Sequence, residues 1–467
     1  MENLVAGIEK VNGVINSFAW GPVMLLLLVG TGIFLSVKTG FIQATRFGFI
    51  MRNTIGTLFK KQERGDHGNN LSPFQAVSTA LAGTVGTGNI AGVTGALFAG
   101  GPGAVFWMWV SAFFGMCTKY AEIALAVKYR VKDENGVHHG GPMYYIEKGL
   151  GDKWKWLAMT FAILGGVASF GIGNIAQSTE VASAMVNLFG LSRPVAGVIL
   201  AVLVGVVLIG GVKRIGSVTS YLVPVMSVFY ILAGLLVLIL RITQIPAAFA
   251  LIFKSAFSFK AVGGGIFGYA IIVAMRSGFA RGVFSNEAGL GSAPMAHAAS
   301  STDEPCDQAL WGVFEVFVDT IVICSITALT VILSGVLNAE GGVDAFGSNG
   351  AAAAAAFNTI LPGSLGGIVI QVGLLLFSFS TIIGWGYYGV SCWNYISRNN
   401  KNVAVAFNIL FTLMCIVGSI GTGKLMWDIS DTMNGLMAIP NLIALLLLSG
   451  TVAKMTKEYF KGHDLKK

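Results

Sequence analysis

A glycine-rich polar stretch at residues 82–92 holds the residue types in this chain best suited to binding a small ligand. It reads Ala-Gly-Thr-Val-Gly-Thr-Gly-Asn-Ile-Ala-Gly and lies inside an apolar segment, 73–98, long enough for a helix to cross a hydrocarbon core of about 30 Å. Each glycine weakens a helix by roughly 1 kcal/mol relative to alanine. Unwound backbone survives in lipid only where it lines a cavity. The stretch therefore predicts a membrane helix that is broken at a binding site.

The backbone amides of Gly86, Thr87 and Gly88 are predicted to bind a substrate carboxylate. The positive N-terminal end of the following half-helix attracts an anion, and the hydroxyl of Thr84 or Thr87 would add a directed hydrogen bond. Close helix packing through small residues is the alternative explanation for the glycines. It leaves the polar residues clustered among them, Thr84, Thr87 and Asn89, unexplained.

A sodium site is predicted beside the same break. The hydroxyls of Ser380 and Thr381 are hard oxygen ligands, as a small cation prefers. Unpaired carbonyls of Ala82, Gly83 and Val85 would complete the oxygen set.

A second glycine-rich polar stretch, 275–282, lies within the apolar segment 262–295 and reads Met-Arg-Ser-Gly-Phe-Ala-Arg-Gly. Carbonyls and hydroxyls around Met275, Ser277 and Gly278 are predicted to receive a substrate ammonium group. Phe279 is predicted to shape the side-chain pocket. Paired interrupted helices that open two halves of a chain are typical of inverted-repeat transporters.

Two more side chains are predicted to reach the substrate. Gln177 follows Asn174 and precedes Glu180 at a spacing of three, roughly along one helix face, and we expect Gln177 to contact the substrate directly. Interhelical packing is the alternative for Gln177, and Glu180 is a candidate proton-binding carboxylate. Trp385, one turn beyond Thr381, is predicted to close the side-chain pocket.

Charged residues within apolar spans are costly unless they are paired. Lys119 and Glu122, three apart, are expected to pair with each other. Glu315 and Asp319 are expected either to line a proton path or to neutralise the two arginines of 275–282. Those arginines are expected to act as a gate or in an internal ion pair with Glu287 or another carboxylate.

The composition places these residues in a membrane. Hydrophobic residues make up 54% of the 467 residues, charged residues only 11%, and the mean hydropathy is +0.74, whereas soluble domains carry about 25% charged residues. Hydropathy predicts eleven spans, at about 20–37, 73–98, 103–127, 156–188, 194–212, 217–240, 262–295, 309–337, 362–396, 402–421 and 426–453.

The distribution of lysine and arginine predicts the orientation. With the N-terminus outside, the cytoplasmic segments hold 6, 6, 2, 2 and 5 of these residues, against 6 in the external segments. Such an excess marks the cytoplasmic side, so the C-terminus is expected to be cytoplasmic. The formal charge of +8 is thus mainly a topology signal, and a nucleic-acid partner is not expected.

Two segments outside the spans have apolar patterns with two interpretations each. Residues 41–52 mix apolar and basic residues, and either lie along the inner leaflet or form an ordinary linker helix. Residues 341–356 include six consecutive alanines, and form either a short helix over an external vestibule or a flexible loop.

The predicted architecture is all-α, with eleven transmembrane helices and an inverted repeat of five plus five. Residues 1–70 form an extra N-terminal helix and an amphipathic cytoplasmic segment. The repeats occupy 71–245 and 246–453, and 454–467 form a basic cytoplasmic tail. The substrate is expected where the breaks of the two repeats meet.

Four motifs resemble those of the alanine or glycine:cation symporter family. They begin at Gly83 (Gly-Thr-Val-Gly-Thr-Gly-Asn-Ile-Ala-Gly), Gly100 (Gly-Gly-Pro-Gly-Ala-Val-Phe-Trp-Met-Trp), Gly140 (Gly-Gly-Pro-Met-Tyr-Tyr-Ile) and Phe284 (Phe-Ser-Asn-Glu-Ala-Gly-Leu-Gly-Ser-Ala-Pro). The resemblance covers nearly the whole chain. It implies the leucine-transporter fold with one additional N-terminal helix, a bacterial or archaeal inner membrane, and sodium-driven uptake of small neutral amino acids. It also implies that the predicted sodium site matches one that the fold places between its first and eighth core helices.

These observations together predict sodium-coupled symport of alanine or glycine by alternating access. A proton-coupled amino-acid permease on the same scaffold is the alternative, and an ion channel is a rival from another class. An enzyme is not expected, because the spans contain no clustered metal ligands and no nucleophile with a nearby base. The expected partners are the amino acid and the lipid bilayer, and the sequence indicates no obligate protein partner.

Overall fold

The computed structural model describes residues 2–58, 68–257, 269–421 and 423–464, and within these ranges the chain is mostly helical. The helices of the first part are α1 (Glu2–Ala19), α2 (Pro22–Thr39), α3 (Ile42–Thr45), α4 (Phe47–Asn53), α5 (Ile55–Leu58), α6 (Pro73–Thr84), α7 (Ala91–Gly100), α8 (Gly103–Lys128), α9 (Pro142–Leu150), α10 (Lys155–Phe170), α11 (Ala176–Phe189), α12 (Arg193–Ile209), α13 (Gly211–Leu240) and α14 (Ile245–Ala256).

The second part continues with nine more helices. These are α15 (Tyr269–Asn286), α16 (Ala293–Ala298), α17 (Pro305–Val316), α18 (Ser325–Ser334), α19 (Asn349–Asn358), α20 (Leu365–Ser397), α21 (Lys401–Ile420), α22 (Gly423–Leu447) and α23 (Ser449–Asp464). Short 3₁₀ segments lie at Thr87–Asn89, Asp152–Trp154, Ile242–Gln244, Val336–Asn338 and Gly342–Phe346. Two strands, β1 (Val131–Lys132) and β2 (His138–His139), pair antiparallel.

Two long helices contain π-helical turns. Gly171–Ile175 joins α10 to α11, and Phe317–Cys324 joins α17 to α18. Such turns displace side chains from the regular helical register and occur frequently at functional sites. Both segments contribute contacts to the site described below.

Length and composition allow seven helical stretches of the described residues to cross a membrane, or eight if the bent pair Asp431–Leu447 and Ser449–His463 is one span. Other predicted spans are interrupted or short; α12, for example, has 17 residues. The predicted count of eleven, the two repeats and the domain boundaries stay predictions.

The surface of α12 shows why the surrounding medium is lipid. Val198, Val202 and Val206 are 50%, 60% and 56% exposed, and they recur at the four-residue spacing of one helix face. Water would make such a continuous apolar stripe unfavourable. A bilayer accommodates it.

The first predicted break is confirmed. Helix α6 begins at a capping box, in which Ser72 Oγ accepts from the Gln75 amide and Gln75 Oε1 accepts from the Ser72 amide. It ends at Thr84, and α7 resumes only at Ala91. Between them the backbone is extended at Val85 and Gly86, so regular helical hydrogen bonding is lost at the predicted position.

The second predicted break, at 275–282, is wrong in position. Helix α15 runs unbroken through it to Asn286, and the interruption comes at residues 287–292, where Glu287, Gly289 and Gly291 have positive φ. The glycines of the predicted stretch serve close packing instead, since a Cβ built at Gly278 would lie 2.3 Å from the carbonyl oxygen of Ala104 on α8. Small residues let membrane helices approach in this way.

The alanine-rich segment forms a helix, α19, capped by the Ser348 hydroxyl, which accepts from the Ala351 amide at 3.1 Å. The flexible-loop interpretation is therefore wrong. The other apolar segment forms the short helices α3 and α4. Its rings face the protein, with Phe47 5.2 Å from Phe317 and Phe49 5.5 Å from Phe460, as the linker-helix interpretation expects.

Candidate functional site

Three residues predicted to act in binding converge at the first break. A Cβ built at Gly86 would lie 2.5 Å from Thr381 Oγ1 and 3.6 Å from Gln177 Oε1. Only a residue without a side chain fits there. Gly86 of the unwound segment, Gln177 of α11 and Thr381 of α20 thus border one small space.

Two polar side-chain atoms at this place are buried without a partner. In the described part of the chain, neither Gln177 Oε1 nor Thr87 Oγ1 makes a hydrogen bond, whereas the amide nitrogen of Gln177 donates to the Ile172 carbonyl at 3.2 Å. An unsatisfied buried polar group costs about 1–3 kcal/mol. Gln177 Oε1 lies 3.6 Å from a Cβ built at Gly86, and Thr87 is the next residue of the chain, so both unsatisfied groups belong to the region of the first break.

The backbone amides of the break divide into used and unused donors. The Gly86 amide donates to Asn89 Oδ1 at 2.9 Å. Among the described residues, the amides of Thr87 and Gly88 donate to no acceptor. Of the three amides predicted to bind the carboxylate, only those of Thr87 and Gly88 are therefore free to donate to it. We call these two amides the carboxylate cradle. The Thr84 hydroxyl bonds back to the Ala80 carbonyl at 3.3 Å.

Asp319 holds the break in shape, which the sequence did not indicate. This fully buried carboxylate accepts from Asn89 Nδ2 at 2.6 Å, from Ser285 Oγ at 2.9 Å and from Thr320 Oγ1 at 2.7 Å. Since Asn89 in turn accepts the Gly86 amide, Asp319 acts on the cradle through Asn89. A carboxylate at membrane depth is a functional signal by default, but its partners come from distant segments.

The predicted sodium ligands lie across one helix contact. Thr381 Oγ1 is 3.4 Å from the Val85 carbonyl oxygen, and both Ser380 Oγ and Thr381 Oγ1 donate to the Phe377 carbonyl, at 2.8 and 2.9 Å. Each hydroxyl oxygen keeps a lone pair for a cation.

The backbone of Ala82 and Gly83, whose carbonyls are also predicted ligands, lies at the same contact. A Cβ built at Gly384 would lie 2.6 Å from the Gly83 nitrogen and 3.2 Å from the Ala82 carbonyl carbon. The end of α6 therefore packs on α20 backbone to backbone. The chemistry of this donor set, hydroxyls and carbonyls without a thiol or imidazole, fits sodium.

Trp385, one turn beyond Thr381 on α20, is fixed by contacts with two other segments. Its indole nitrogen donates to Glu287 Oε1 at 2.9 Å, and a Cβ built at Gly173 would lie 2.2 Å from its Cβ. The indole is 1% exposed. Trp385 therefore links the π-helical turn before Gln177 to the second break.

The residues predicted to receive the ammonium group lie outside both breaks, and Ser277 among them lines the cavity described below. Met275, Ser277 and Gly278 belong to a continuous helix, whose carbonyls are used four residues on, and the Phe279 ring packs 5.6 Å from that of Trp107. In their place Phe284 borders the break, 3.3 Å from a Cβ built at Gly88. Phe279 and Phe284 lie on different faces of α15 and therefore contact different neighbours.

A cavity of about 970 Å³ leads from the surface to the break. Its lining includes Ala91 and Ala176, which adjoin the break and Gln177, together with Glu180, residues of α15, and residues 347–350 at the start of α19. Asn174, predicted on the same face as Gln177, instead donates to the Phe411 carbonyl at 2.6 Å. The π-helical turn between α10 and α11 therefore points the side chains of Asn174 and Gln177 in different directions.

The charged residues pair differently from expectation. Arg281 forms an ion pair with Asp431 at 3.6 Å in that cavity, so pairing with a carboxylate other than Glu287 is confirmed. Glu315 does not neutralise the arginines, because it binds Lys119 and His297, each at 3.2 Å.

Glu122 does not form the predicted pair with Lys119. Its Oε1 accepts from the amides of Gly289 and Gly291, each at 3.1 Å, in the second break. Positive φ at both glycines turns these amides toward the carboxylate. The break is thereby held from α8.

Comparison with known proteins gives matches over the whole chain. A family model described as the sodium:alanine symporter family matches residues 5–467. The chain is 48% identical over 447 residues to the sodium/alanine symporter AgcS of Methanococcus maripaludis, with 95% of this chain and 96% of that protein covered. It is 38% identical over 453 residues to the probable sodium/glutamine symporter GlnT of Bacillus subtilis, with 97% and 91% covered.

Solved structures match in fold. A Na⁺-coupled sialic acid symporter in a substrate-bound outward-open state superposes with a TM-score of 0.55 at 13% identity, covering 92% of this chain and 87% of that one. MhsT in complex with L-phenylalanine gives 0.54 at 14%, covering 82% and 97%. These neighbours have the leucine-transporter fold, which confirms the predicted fold class.

Proposed function

This chain belongs to the sodium:alanine symporter family, and from that premise we propose that it carries a small neutral amino acid, alanine or glycine, together with sodium. The predicted family resemblance and the function of a sodium-coupled amino-acid symporter are confirmed. The choice of substrate and the residues that bind it are the proposal.

The observation that carries the proposal is the pair of unpartnered polar atoms, Gln177 Oε1 and Thr87 Oγ1, beside the unwound backbone. A zwitterion satisfies this arrangement. Its carboxylate accepts from the free amides of Thr87 and Gly88, and its ammonium group donates to Gln177 Oε1. An unpaired buried acceptor is satisfied best by a charged donor.

The walls of the space limit the side chain of the substrate. The Phe284 ring borders the break at Gly88, and the Trp385 indole, held by Glu287, is proposed to close the pocket. Neither is free to withdraw without losing buried contacts. Alanine and glycine fit a site that offers backbone recognition and little side-chain volume.

Sodium is proposed to bind between α6 and α20. The carbonyls of Ala82, Gly83 and Val85 and the hydroxyls of Ser380 and Thr381 supply oxygens from both helices. A cation there holds the end of α6 against α20 and keeps the adjacent amides ordered for the carboxylate. The coupling is reciprocal, so each ligand strengthens binding of the other.

The cavity of 970 Å³ is proposed as the external entrance, with the N-terminus outside and the C-terminus in the cytoplasm. The excess of lysine and arginine in the opposite loops supports this orientation. Glu180 and Arg276 both line the cavity and offer one charge of each sign to an arriving zwitterion. The Arg281–Asp431 ion pair lies at the same side.

Uptake by proteoliposomes tests the proposal. Labelled alanine and glycine should accumulate above the external concentration when an inward sodium gradient is imposed. Accumulation driven equally by a pH gradient without sodium would favour the proton-coupled permease. Equilibration without accumulation under either gradient would contradict symport.

A further inference from the structure

A basic groove lies at the end of the bundle where α2 terminates. It has a volume of about 1060 Å³, far from the substrate space. Five cationic side chains from three elements line it, together with small and apolar residues: Lys38, Arg46, Lys454, Lys457 and Lys461. No acidic residue lines it among the described residues.

The groove is preformed because α23 is firmly docked. Helix α22 is followed by α23 at a bend of 60°, so α23 leaves the direction of the preceding helix. The Phe460 ring packs 5.5 Å from Phe49, and Tyr459 donates to Asp307 Oδ1 at 2.5 Å. These contacts fix one wall and turn the lysines of α23 toward the end of α2.

The other wall continues into the lipid-facing surface of α2. Ile33, Phe34 and Val37 are 42%, 39% and 61% exposed, and they lie on the last turns of α2 before the groove. Lys38 Nζ lies 5.5 Å from the centre of the Phe34 ring. An apolar strip therefore runs directly into a cluster of positive charge.

We propose that this groove binds the phosphate headgroup of an anionic phospholipid, whose acyl chains lie along the exposed face of α2. Basic pockets at the cytoplasmic boundary attract such headgroups, and the apolar strip supplies the place for the chains. The floor of Ile42 and Phe460 suits the glycerol region. A soluble anion would use the charges but not the strip.

The proposal predicts selective binding of short-chain phosphatidylglycerol to the purified full-length protein. In detergent solution, dioctanoyl phosphatidylglycerol should bind at least tenfold more tightly than dioctanoyl phosphatidylcholine, measured by microscale thermophoresis. The triple variant Lys454→Gln, Lys457→Gln, Lys461→Gln should weaken phosphatidylglycerol binding by about tenfold or more, since each basic residue contributes to attraction of an anionic lipid.

A matched control changes three exposed lysines of the same end outside the groove, Lys132→Gln, Lys148→Gln and Lys153→Gln. This variant should bind phosphatidylglycerol like the wild type, and both variants should retain sodium-driven alanine uptake in phosphatidylcholine liposomes, which verifies folding. Inorganic phosphate at millimolar concentration should not compete.

Three outcomes would overturn the proposal. They are equal affinity for the two lipids, equal weakening by both triple variants, and full competition by inorganic phosphate, which would make the groove a site for a free anion. None of them bears on sodium-coupled transport, because the groove lies apart from the break in α6.

Discussion

Gln177 is the side chain that links the π-helical turn to the proposed substrate site. The turn before it frees the Ile172 carbonyl to accept the Gln177 amide, and this hydrogen bond of 3.2 Å directs the carbonyl oxygen of the side chain toward Gly86. Because the Gln177 Nε2 group already donates to Ile172, the side chain presents only its acceptor oxygen, Oε1, to a ligand. An ammonium group is the natural partner for that acceptor.

Gln177→Ala should therefore raise the KM for alanine by about tenfold to a hundredfold, the range expected for a lost hydrogen bond to a charged group. Uptake kinetics at saturating sodium measure this. Ser183→Ala, on the same helix beyond the site, is the control and should leave KM unchanged. Normal alanine KM in the Gln177 variant would place the ammonium group elsewhere.

Thr381 is the hydroxyl shared by the break and α20. Thr381→Val keeps the shape of the side chain and removes its oxygen, so the sodium concentration for half-maximal uptake should rise by about tenfold or more, because a cation loses one of its few hard ligands. Ser391→Ala, which removes a similar back-bonded hydroxyl of α20, should leave it unchanged. An unaltered sodium dependence in the Thr381 variant would rule out this site.

Residue types alone sufficed to select Gly86, Gln177 and Thr381 as candidate site residues, and the structure brings the three together. The sequence could not predict that Asp319 shapes the cradle or that Glu287 binds Trp385. In both cases the partners lie more than 90 positions apart along the chain. Such pairings depend on how helices pack, which local pattern does not specify.

At the scale of helices, the two breaks differ in how visibly the sequence marks them. The first combines four glycines with three polar residues, and the structure breaks there. The stretch 275–282 also mixes glycines with polar residues, but its glycines pack α15 on α8 and its arginines line the cavity of 970 Å³. The true second break lies a few residues later, where positive φ at Glu287, Gly289 and Gly291 ends the helix.

The contact between α6 and α20 depends on glycine at both surfaces. Gly384→Ala would place a methyl group 2.6 Å from the Gly83 nitrogen, and backbone cannot move aside as a side chain can. Overpacking of this kind costs about 1–3 kcal/mol, so the melting temperature in detergent should fall by several degrees and sodium-driven uptake should be lost.

Gly30→Ala on α2 is the control, because a Cβ there meets nothing within 4 Å. It should leave both the melting temperature and uptake unchanged. Full stability and uptake in the Gly384 variant would show that the two helices separate more easily than the packing indicates.

In the molecule as a whole, the substrate space is tied to a buried polar network at the second break. Trp385 binds Glu287, and Glu122 holds the amides of Gly289 and Gly291 from α8. The two broken helices thus meet through Trp385 and its neighbours. The proposed sodium site, the proposed substrate site and the second break therefore lie in neighbouring segments, which suits alternating access about a central site.

Composition and charge distribution predicted a polytopic helical protein, and the family resemblance supplied the leucine-transporter fold. Neither composition nor charge distribution could predict where α15 ends and α16 begins. The position of this boundary depends on tertiary hydrogen bonds, chiefly those that the amides of Gly289 and Gly291 donate to Glu122. Length and hydropathy carry no information on such bonds.

The central claim is that sodium orders the first break for the substrate, and titration calorimetry with the purified protein tests it most directly. Alanine should bind at least tenfold more tightly in sodium buffer than in choline buffer of equal ionic strength, a gain typical of coupled sites. Thr381→Val should remove most of that difference. Equal alanine affinity in the two buffers would contradict the account.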